Sequence, residues 1–266
     1  MLSMAAKKFQ VLLFFFLFMT AANIAFAEKD KDKDKASKKD TTPDNVLLEK
    51  QWTLGLMVHT NGFGAKFRKG HNLKARQQLM WEVEFSTYKS AKEVKTINPY
   101  FTDSKSYIYG KLNYVYFLRG GVGEQRIIAR KPYWGGVQLS WLYYGGLSLG
   151  ITKPVYLYII NFTGTGNDIT YQISTERYDP SIHFIDNIYG RAPFLTGILN
   201  LKVYPGVYLR GGLDFEFGTR NKSINSLEVG AILDYSPIPV PVMANNPKQN
   251  FFLTLYLSFS MGKRMN

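Results

Sequence analysis

The amino-acid sequence predicts an all-β protein that forms a single closed antiparallel transmembrane β-barrel of about 10 to 12 strands. Three observations predict this fold. Apolar and polar residues alternate over most of the chain from Lys50 onward, which gives a pleated strand two different faces. Aromatic residues make up 15% of the chain and gather near the ends of the alternating segments. A segment typical of an export signal comes first, and the protein has no cysteine to form disulfides.

Residues 1–27 have the three parts of a cleavable signal peptide. Lys7 and Lys8 supply the positive start, residues 11–19 form the apolar segment, and Ala25-Phe26-Ala27 matches the small-x-small cleavage pattern. The apolar segment is about half of the roughly 20 residues that a membrane-spanning helix needs. The segment therefore predicts export and not anchoring by a helix.

Residues 28–49 predict a charged, disordered spacer, because Lys and Asp alternate over 29–35 with no apolar side chain to bury. Residues 50–266 then form one barrel domain. The formal net charge is +13, and removal of Lys7 and Lys8 with the signal leaves +11. For an exported protein this excess predicts contact with outer-membrane lipids, including anionic lipopolysaccharide, and not with nucleic acid. We also expect a periplasmic or envelope protein as a partner.

The clearest alternation lies in the last predicted strand. Apolar residues there occupy every second position: Phe251, Leu253, Leu255, Leu257, Phe259 and Met261. The same pattern predicts strands at residues 79–85, 137–147, 195–203, 207–217 and 227–233. Weaker alternation predicts further strands at residues 52–58, 63–68, 108–118, 126–130 and 155–160, with 169–174 as a twelfth. Each strand should therefore present one apolar face and one polar face.

Glycine and proline mark the expected turns between these strands. The turn signals are Asn61-Gly62, Gly120-Gly121-Val122-Gly123, Pro205-Gly206 and the proline-rich residues 237–241. Two long polar connections, at residues 89–105 and 161–191, are predicted to be surface loops. In membrane barrels the longer loops usually lie outside the cell, so recognition would take place there.

The alternation alone does not decide whether the barrel lies in a membrane or in water. A soluble lipocalin-like binding protein shows the same period with its apolar face turned inward. Strand length favours the membrane, since segments of about 10 to 12 residues match a tilted membrane crossing. Tyrosines near strand ends, such as Tyr143, Tyr144 and Tyr208, are typical of an interfacial girdle. The two alternatives differ at Leu253, which would face lipid in one and line a ligand cavity in the other.

If the apolar faces meet lipid, the opposite faces line the interior of the barrel. The charged residues predicted to line it are Lys66, Arg68, Lys111, Arg126, Arg130, Lys202 and Arg210, together with Glu82, Glu84, Asp214, Glu216, Glu228 and Asp234. Buried charges are costly unless they pair, and the two signs nearly balance. We therefore expect a salt-bridged polar plug more than a permeation pathway, with Asp214 near a Lys or Arg of an adjacent strand.

These features together resemble the small outer-membrane β-barrel proteins of the Bacteroidota type. The resemblance covers the chain from about Lys50 and rests on the charged spacer, the tyrosine-rich alternating strands and the alternating C-terminal strand. The chain departs from such proteins at residues 261–266, which are largely polar and basic where a terminal aromatic is expected. The resemblance implies that Phe259 could serve as the signal for the assembly machinery.

No sequence motif points to an enzyme. His59, His71 and His183 match no zinc-binding spacing, so we expect no metal and no cofactor. Ser181, His183 and Asp186 lie in one loop and are the residue types of an acyl hydrolase, which makes them candidates for catalysis. The main hypothesis is a non-catalytic outer-membrane barrel involved in envelope transport, secretion or assembly. A lipid-modifying hydrolase and a soluble periplasmic lipocalin-like binder are the alternatives.

Overall fold

The structure is a computed structural model, and it describes residues 50–74, 76–101, 103–131, 136–163, 170–217, 222–244 and 246–265. The predicted signal peptide at 1–27 and the predicted spacer at 28–49 lie outside these ranges, so both stay predictions. Over the described ranges, no helix has the length and apolar character needed to cross a membrane.

Strands dominate the described part of the chain. Their bounds are β1 Lys50–His59, β2 Gly62–Lys74, β3 Gln77–Tyr88, β4 Lys95–Thr96, β5 Tyr107–Ile108, β6 Asn113–Ala129, β7 Gln138–Pro154, β8 Tyr156–Thr163, β9 Thr170–Arg177, β10 Ile188–Arg191, β11 Lys202–Phe217, β12 Ser223–Val240 and β13 Gln249–Met265. One short 3-10 helix spans Ile198–Asn200.

Eight of the strands close into a barrel in the order β1-β13-β12-β11-β7-β6-β3-β2. All neighbours in this ring are antiparallel, and β1 closes it by pairing with both β2 and β13. A closed ring leaves no strand edge unpaired. The predicted single closed antiparallel barrel is thus confirmed, with eight strands where about 10 to 12 were expected.

One reason that too many strands were predicted is β6. The sequence analysis divided it into two strands with a glycine turn between them. Gly120–Gly123 instead lies inside the strand, so the predicted strand at 126–130 is its continuation. Glycine is needed here because β6 and β7 approach closely. A Cβ added at Gly121 would lie 2.5 Å from the carbonyl oxygen of Gly145 and 2.6 Å from the hydroxyl of Tyr208. The Pro205-Gly206 signal likewise falls within β11 and not in a turn.

The other predicted strands missing from the barrel belong to the connection between β7 and β11. The segments at 155–160 and 169–174 correspond to β8 and β9, which pair with each other and, through β8, with β10 in a separate sheet. Residues 195–201 form turns and the 3-10 helix, and β11 begins only at Lys202. Gly197 has a φ of 80°, which interrupts an extended strand.

The connections at the two ends of the barrel differ in length. Lys50 pairs with Met265, so both chain ends lie at one end of the barrel, which we call the terminal end. Because the strands alternate in direction, the connections at 75–76, 130–137 and 218–222 also lie there. The opposite end, called the loop end, carries the hairpin at 60–61, the two longest connections at 89–112 and 155–201, and a shorter connection at 241–248.

The described residues of 89–112, 155–201 and 241–248 pack together into one structured assembly, here called the cap. It contains the β4-β5 hairpin and the β8-β9-β10 sheet. Its core consists of buried apolar side chains: Tyr107, Val155, Leu157, Ile159, Tyr178 and Ile188. The buried amide of Asn98 donates to the carbonyl oxygen of Ile188 at 2.7 Å and so joins two of the connections. The segments predicted as surface loops therefore contain short sheets of their own.

The two faces of the barrel strands have opposite character. In β13, Leu253 is 64% exposed and Leu255 is 56% exposed on the outside, while Thr254 and Tyr256 are buried on the inside. An outer surface this rich in apolar side chains is suited to hydrocarbon and not to water. The lipocalin-like interpretation is therefore wrong, because the leucines that would have lined its cavity face outward.

Candidate functional site: the barrel interior

The interior of the barrel collects most of the charged residues that the sequence predicted to line it. The buried ones occupy inward positions of four barrel strands and are Lys66, Arg68, Glu82, Glu84, Arg210, Asp214, Glu216, Glu228 and Asp234. Each is at most 5% exposed. The site is therefore a dense set of ionisable groups held away from bulk water, where unpaired charge is costly.

The remaining predicted residues lie elsewhere. Arg126 and Arg130 are exposed, because the inward positions of β6 have odd numbers once the strand runs unbroken through its glycines. Lys202 is exposed where β11 enters the barrel at the loop end. Lys111 is buried in the cap, with its Nζ 2.7 Å from Oε1 of Glu93. Burial lowers the pKa of Lys111, and Glu93 opposes that effect.

Glu228 is the centre of the first group of interior contacts. Its carboxylate accepts hydrogen bonds from Nζ of Lys66 at 2.5 Å and from Nη2 of Arg68 at 3.0 Å. The hydroxyl of Tyr256 donates to the same carboxylate at 2.5 Å. The guanidinium of Arg68 also lies over the ring of Tyr144, 4.5 Å from its centroid. Aromatic rings thus contact the cations that the carboxylate binds.

Glu82 connects this group to the next. Its Oε2 accepts from Nε of Arg68 at 2.9 Å and from Nη1 of Arg210 at 2.9 Å, and its Oε1 accepts from the hydroxyl of Tyr208 at 2.9 Å. Both carboxylate oxygens therefore have donors. A buried carboxylate is stabilised when several strong donors form hydrogen bonds with it.

Arg119 extends the contacts toward the loop end. Its guanidinium donates to Asp234 at 2.9 and 2.7 Å and also contacts Glu84. Glu84 in turn contacts Arg210. Cations and carboxylates therefore alternate without a break in the order Asp234, Arg119, Glu84, Arg210, Glu82, Arg68, Glu228 and Lys66. We call this the charge chain, and its four positive and four negative groups cancel.

Two further carboxylates lie nearer the terminal end. Glu216 pairs with Lys131 at 2.9 Å and with Arg264 at 2.9 Å. Asp214 accepts from Nε2 of Gln125 at 3.0 Å, and no ion pair joins it to a Lys or Arg within the described ranges. Lys66 and Arg68 lie near enough to interact with the charge of Asp214, so cations are close to it as expected. They belong to β2, however, and not to a strand adjacent to β11.

An apolar layer closes the interior at the loop end. It consists of Val115, Phe117, Val240, Val242 and Phe252, with Tyr88 packed against it. Ring centroids lie 5.2 Å apart between Phe117 and Phe252 and 5.0 Å apart between Tyr88 and Phe252, both edge to face. We call this layer the apolar plug. Side chains fill the interior of an eight-stranded barrel in this way.

Arg119 is the member of the charge chain that sequence reasoning missed. It lies directly opposite Glu84 in the pairing of β3 with β6, so the pairing identifies it. Val115 and Phe117 point inward together with Arg119. Because these two residues are apolar, the sequence pattern does not identify the inward face of β6 as a polar one. Tyr144 and Tyr208 were expected in an interfacial girdle but are buried inside at 2% and 1% exposure.

The candidate catalytic residues in the cap are not arranged as a nucleophile and base. Oγ of Ser181 donates to Asp179 at 2.6 Å. Nδ1 of His183 accepts from the backbone N–H of Asp179 at 3.0 Å, and its Nε2 faces Glu176 at 3.3 Å. Both ring nitrogens are therefore engaged by groups other than Ser181, whereas nucleophilic catalysis needs the base on the hydroxyl. Asp186 is exposed.

Ionisable groups in this part of the cap are held by local hydrogen bonds. Donation from Ser181 lowers the pKa of the Asp179 carboxyl, and donation from Ser174 and Asn161 lowers that of Glu176. No group of three or more metal-ligating side chains comes together among the described residues. The geometry favours a structural role for this cluster, because each side chain fixes a neighbouring backbone or side-chain group.

Solved structures give distant matches to this chain. Neisserial surface protein A (NspA) is 8% identical over 81% of this chain and 96% of that chain, with a TM-score of 0.39. Ail, the attachment invasion locus protein of Yersinia pestis, in complex with the heparin analogue sucrose octasulfate, is 8% identical over 82% and 98%, with a TM-score of 0.38. The N-terminal β-barrel domain of Pseudomonas aeruginosa OprF is 7% identical over 80% and 96%, with a TM-score of 0.34.

These structural neighbours are small outer-membrane β-barrel proteins, and the resemblance concerns the fold alone. No family model matches the chain, and no curated protein matches it significantly. The assignment of the outer face to lipid therefore rests on the exposed apolar side chains of this chain and on its paired interior. Membership of the Bacteroidota type stays a prediction.

Proposed function

We propose that this protein is a non-catalytic outer-membrane barrel that acts as a closed anchor for its cap. Of the roles expected for such a barrel, which are envelope transport, secretion and assembly, the interior favours assembly or recognition over passage of solutes. The cap is the part available to a partner, because it gathers the two longest connections, with 241–248, at one end. The barrel below it has the apolar outer face that a bilayer requires.

One observation carries the proposal: the interior is occupied along its length. The apolar plug lies toward the loop end, the charge chain fills the middle, and Glu216 with its partners lies toward the terminal end. Opening a path means separating buried ion pairs, and breaking one such pair costs about 3–5 kcal/mol. These contacts therefore favour a closed barrel over a permanently open channel.

The proposed orientation places the terminal end in the periplasm and the cap outside the cell. Bacterial barrels have an even number of strands, short periplasmic turns and longer extracellular loops. The eight-stranded ring has this asymmetry, with the chain ends on the side of the shorter connections. The predicted signal peptide supports export to the outer membrane.

The test is conductance of the folded full-length protein. The protein is refolded in detergent, checked for heat-modifiable gel migration, and inserted into planar bilayers beside a large porin as the positive control. We expect inserted, folded protein with no stable conductance. Steady single-channel currents from the wild type would contradict the closed anchor. Recovery of the protein from cells as a detergent-free soluble periplasmic species would contradict the membrane location.

A further inference from the structure

Basic and aromatic side chains alternate across four neighbouring strands on the outer face of the terminal end. Trp52 of β1 lies opposite Lys263 of β13 on one side and opposite Lys69 of β2 on the other. Trp81 of β3 lies on the far side of Lys69. Lys50 follows on β1, one outward position closer to the end of the barrel. These residues form a compact group, here called the basic belt.

The members of the basic belt point away from the interior. Lys50, Lys69 and Lys263 are all exposed, while neighbouring residues such as Gln51 and Arg68 are buried on the opposite face. Adjacent strands lie about 4.7–4.9 Å apart, so Lys69 and Lys263 flank Trp52 with backbones about 10 Å apart. Their flexible four-carbon stems allow both ammonium groups to approach one anion above the indole ring.

None of the three lysines forms an ion pair with a carboxylate in the described part of the chain. By contrast, Lys66 pairs with Glu228 inside the barrel and Lys111 pairs with Glu93 in the cap. The basic belt therefore presents positive charge that the protein itself leaves uncompensated.

Three of these four strands, β1, β2 and β13, have no such charge on the outer face near the loop end. The outward residues there are Val58 of β1, Phe63 of β2 and Phe251 of β13, all of them apolar and exposed. A requirement for solubility alone would not place lysine at one end of these strands and apolar residues at the other. The difference points to what lies against each end of the barrel.

We propose that the basic belt binds the phosphate of an anionic phospholipid headgroup in the leaflet at the terminal end. Tryptophan prefers the headgroup level of a bilayer, which places Trp52 and Trp81 beside the phosphates. The lysines supply the complementary charge at that level. The inference rests on the proposed membrane orientation, and it assigns the lipid contact of this end to phospholipid and not to lipopolysaccharide.

The test compares two variants of the full-length folded protein that lose the same charge. One is Lys50→Gln with Lys69→Gln and Lys263→Gln, and the matched control is a triple Lys→Gln variant of the cap lysines Lys89, Lys92 and Lys95. Each protein, folded in zwitterionic detergent, is titrated with short-chain phosphatidylglycerol, and bound lipid is counted by native mass spectrometry. Parallel titrations use phosphatidylcholine of the same chain length and inorganic phosphate.

We expect the wild type and the cap variant to bind phosphatidylglycerol alike and the belt variant to bind at least about fivefold more weakly, since each surface lysine contributes about that factor. Phosphatidylcholine and inorganic phosphate should bind more weakly than phosphatidylglycerol to the wild type. Equal binding by the belt and cap variants, or phosphate binding as tight as the lipid, would overturn the proposal. Heat-modifiable gel migration distinguishes a loss of lipid binding from a loss of folding. A variant that migrates as folded protein still has the barrel of the proposed function.

Discussion

The outward and inward faces of the barrel strands differ in what their side chains need from the surroundings. Outward leucines such as Leu253 and Leu255 are exposed and need an apolar solvent. Inward groups such as Glu82 and Glu228 are buried and obtain every strong interaction from other side chains. Alternate residues of one strand therefore face two different environments, an apolar one outside the barrel and a polar, paired one inside it. A substitution should therefore have a lipid-dependent cost outside and a partner-dependent cost inside.

The largest effect is expected from Glu228→Leu. This change leaves Lys66 buried without its carboxylate and removes one of two carboxylates from Arg68, so unfolding should become easier by about 3–5 kcal/mol. Urea titration of the protein folded into short-chain lipid bilayers measures the free energy of unfolding. The control is Glu124→Leu, whose ion pair with Arg126 lies on the exposed outer rim and should contribute little. Equal losses at both positions would contradict the inward-outward comparison.

A second prediction concerns Leu209→Arg on the outer face. Leu209 lies near the middle of β11 and is 64% exposed, so arginine there should destabilise the folded state by about 2–4 kcal/mol in a bilayer. Leu213→Arg, four residues nearer the terminal end, should cost less if depth in the bilayer sets the penalty. The cap supplies the control, because Leu199 is 96% exposed and Leu199→Arg should be nearly neutral. A Leu209 penalty that stayed the same in lipids of different thickness would argue against lipid contact.

Asp214 offers a smaller and more selective test. Its partner is the neutral amide of Gln125, so Asp214→Leu should cost about 1–3 kcal/mol by leaving that donor unsatisfied. Asp214→Asn keeps an acceptor for Gln125 and should fold with little loss. The same unfolding titrations apply. A loss at Asp214→Leu as large as that at Glu228→Leu would mean that Asp214 has a charged partner after all.

The smallest effect concerns the cap, where Glu176 accepts a hydrogen bond from Ser174 at 2.5 Å. The lowered pKa of Glu176 means that its ionised form stabilises the cap above the ordinary glutamate pKa and that this contribution is lost as pH falls through the lowered value. Ser174→Ala should move that pKa back up toward its ordinary value. An NMR pH titration of the carboxyl carbon measures it, with Ser181→Ala as a control that should leave Glu176 unchanged.

The sequence was sufficient for β13 because nothing interrupts its alternation. Leu253 and Leu255 point outward as predicted, and the intervening residues point inward. In β6 the same reasoning placed Arg126 inside and overlooked Arg119. The glycines at 120–123 carry no polarity signal, and Phe117 points inward to the apolar plug. Which residues of such a strand point inward is fixed by its pairing with β3 and β7. The local sequence pattern does not contain that information.

The cap was less predictable for a related reason. Strands β8 and β9 show weak alternation in sequence of the kind also found in β1 and β2, yet they pair with each other outside the ring. Alternation reports that a strand has two faces, but not which neighbour covers its edges. Seven of the eight residues of the charge chain were predicted to line the interior, and Arg119 was not. The identity of each pair depended on strand order and register.

The most direct test of the closed membrane barrel uses site-directed spin labels at residues 253–258 of β13. The protein has no native cysteine, so each labelled cysteine variant reports one position. Positions 253, 255 and 257 should be accessible to oxygen dissolved in the lipid. Positions 254, 256 and 258 should be shielded both from oxygen and from a water-soluble nickel reagent. Nickel access at 256 or 258 would reveal an open, water-filled interior, and oxygen access at those positions with shielding at 255 would show that the faces are reversed.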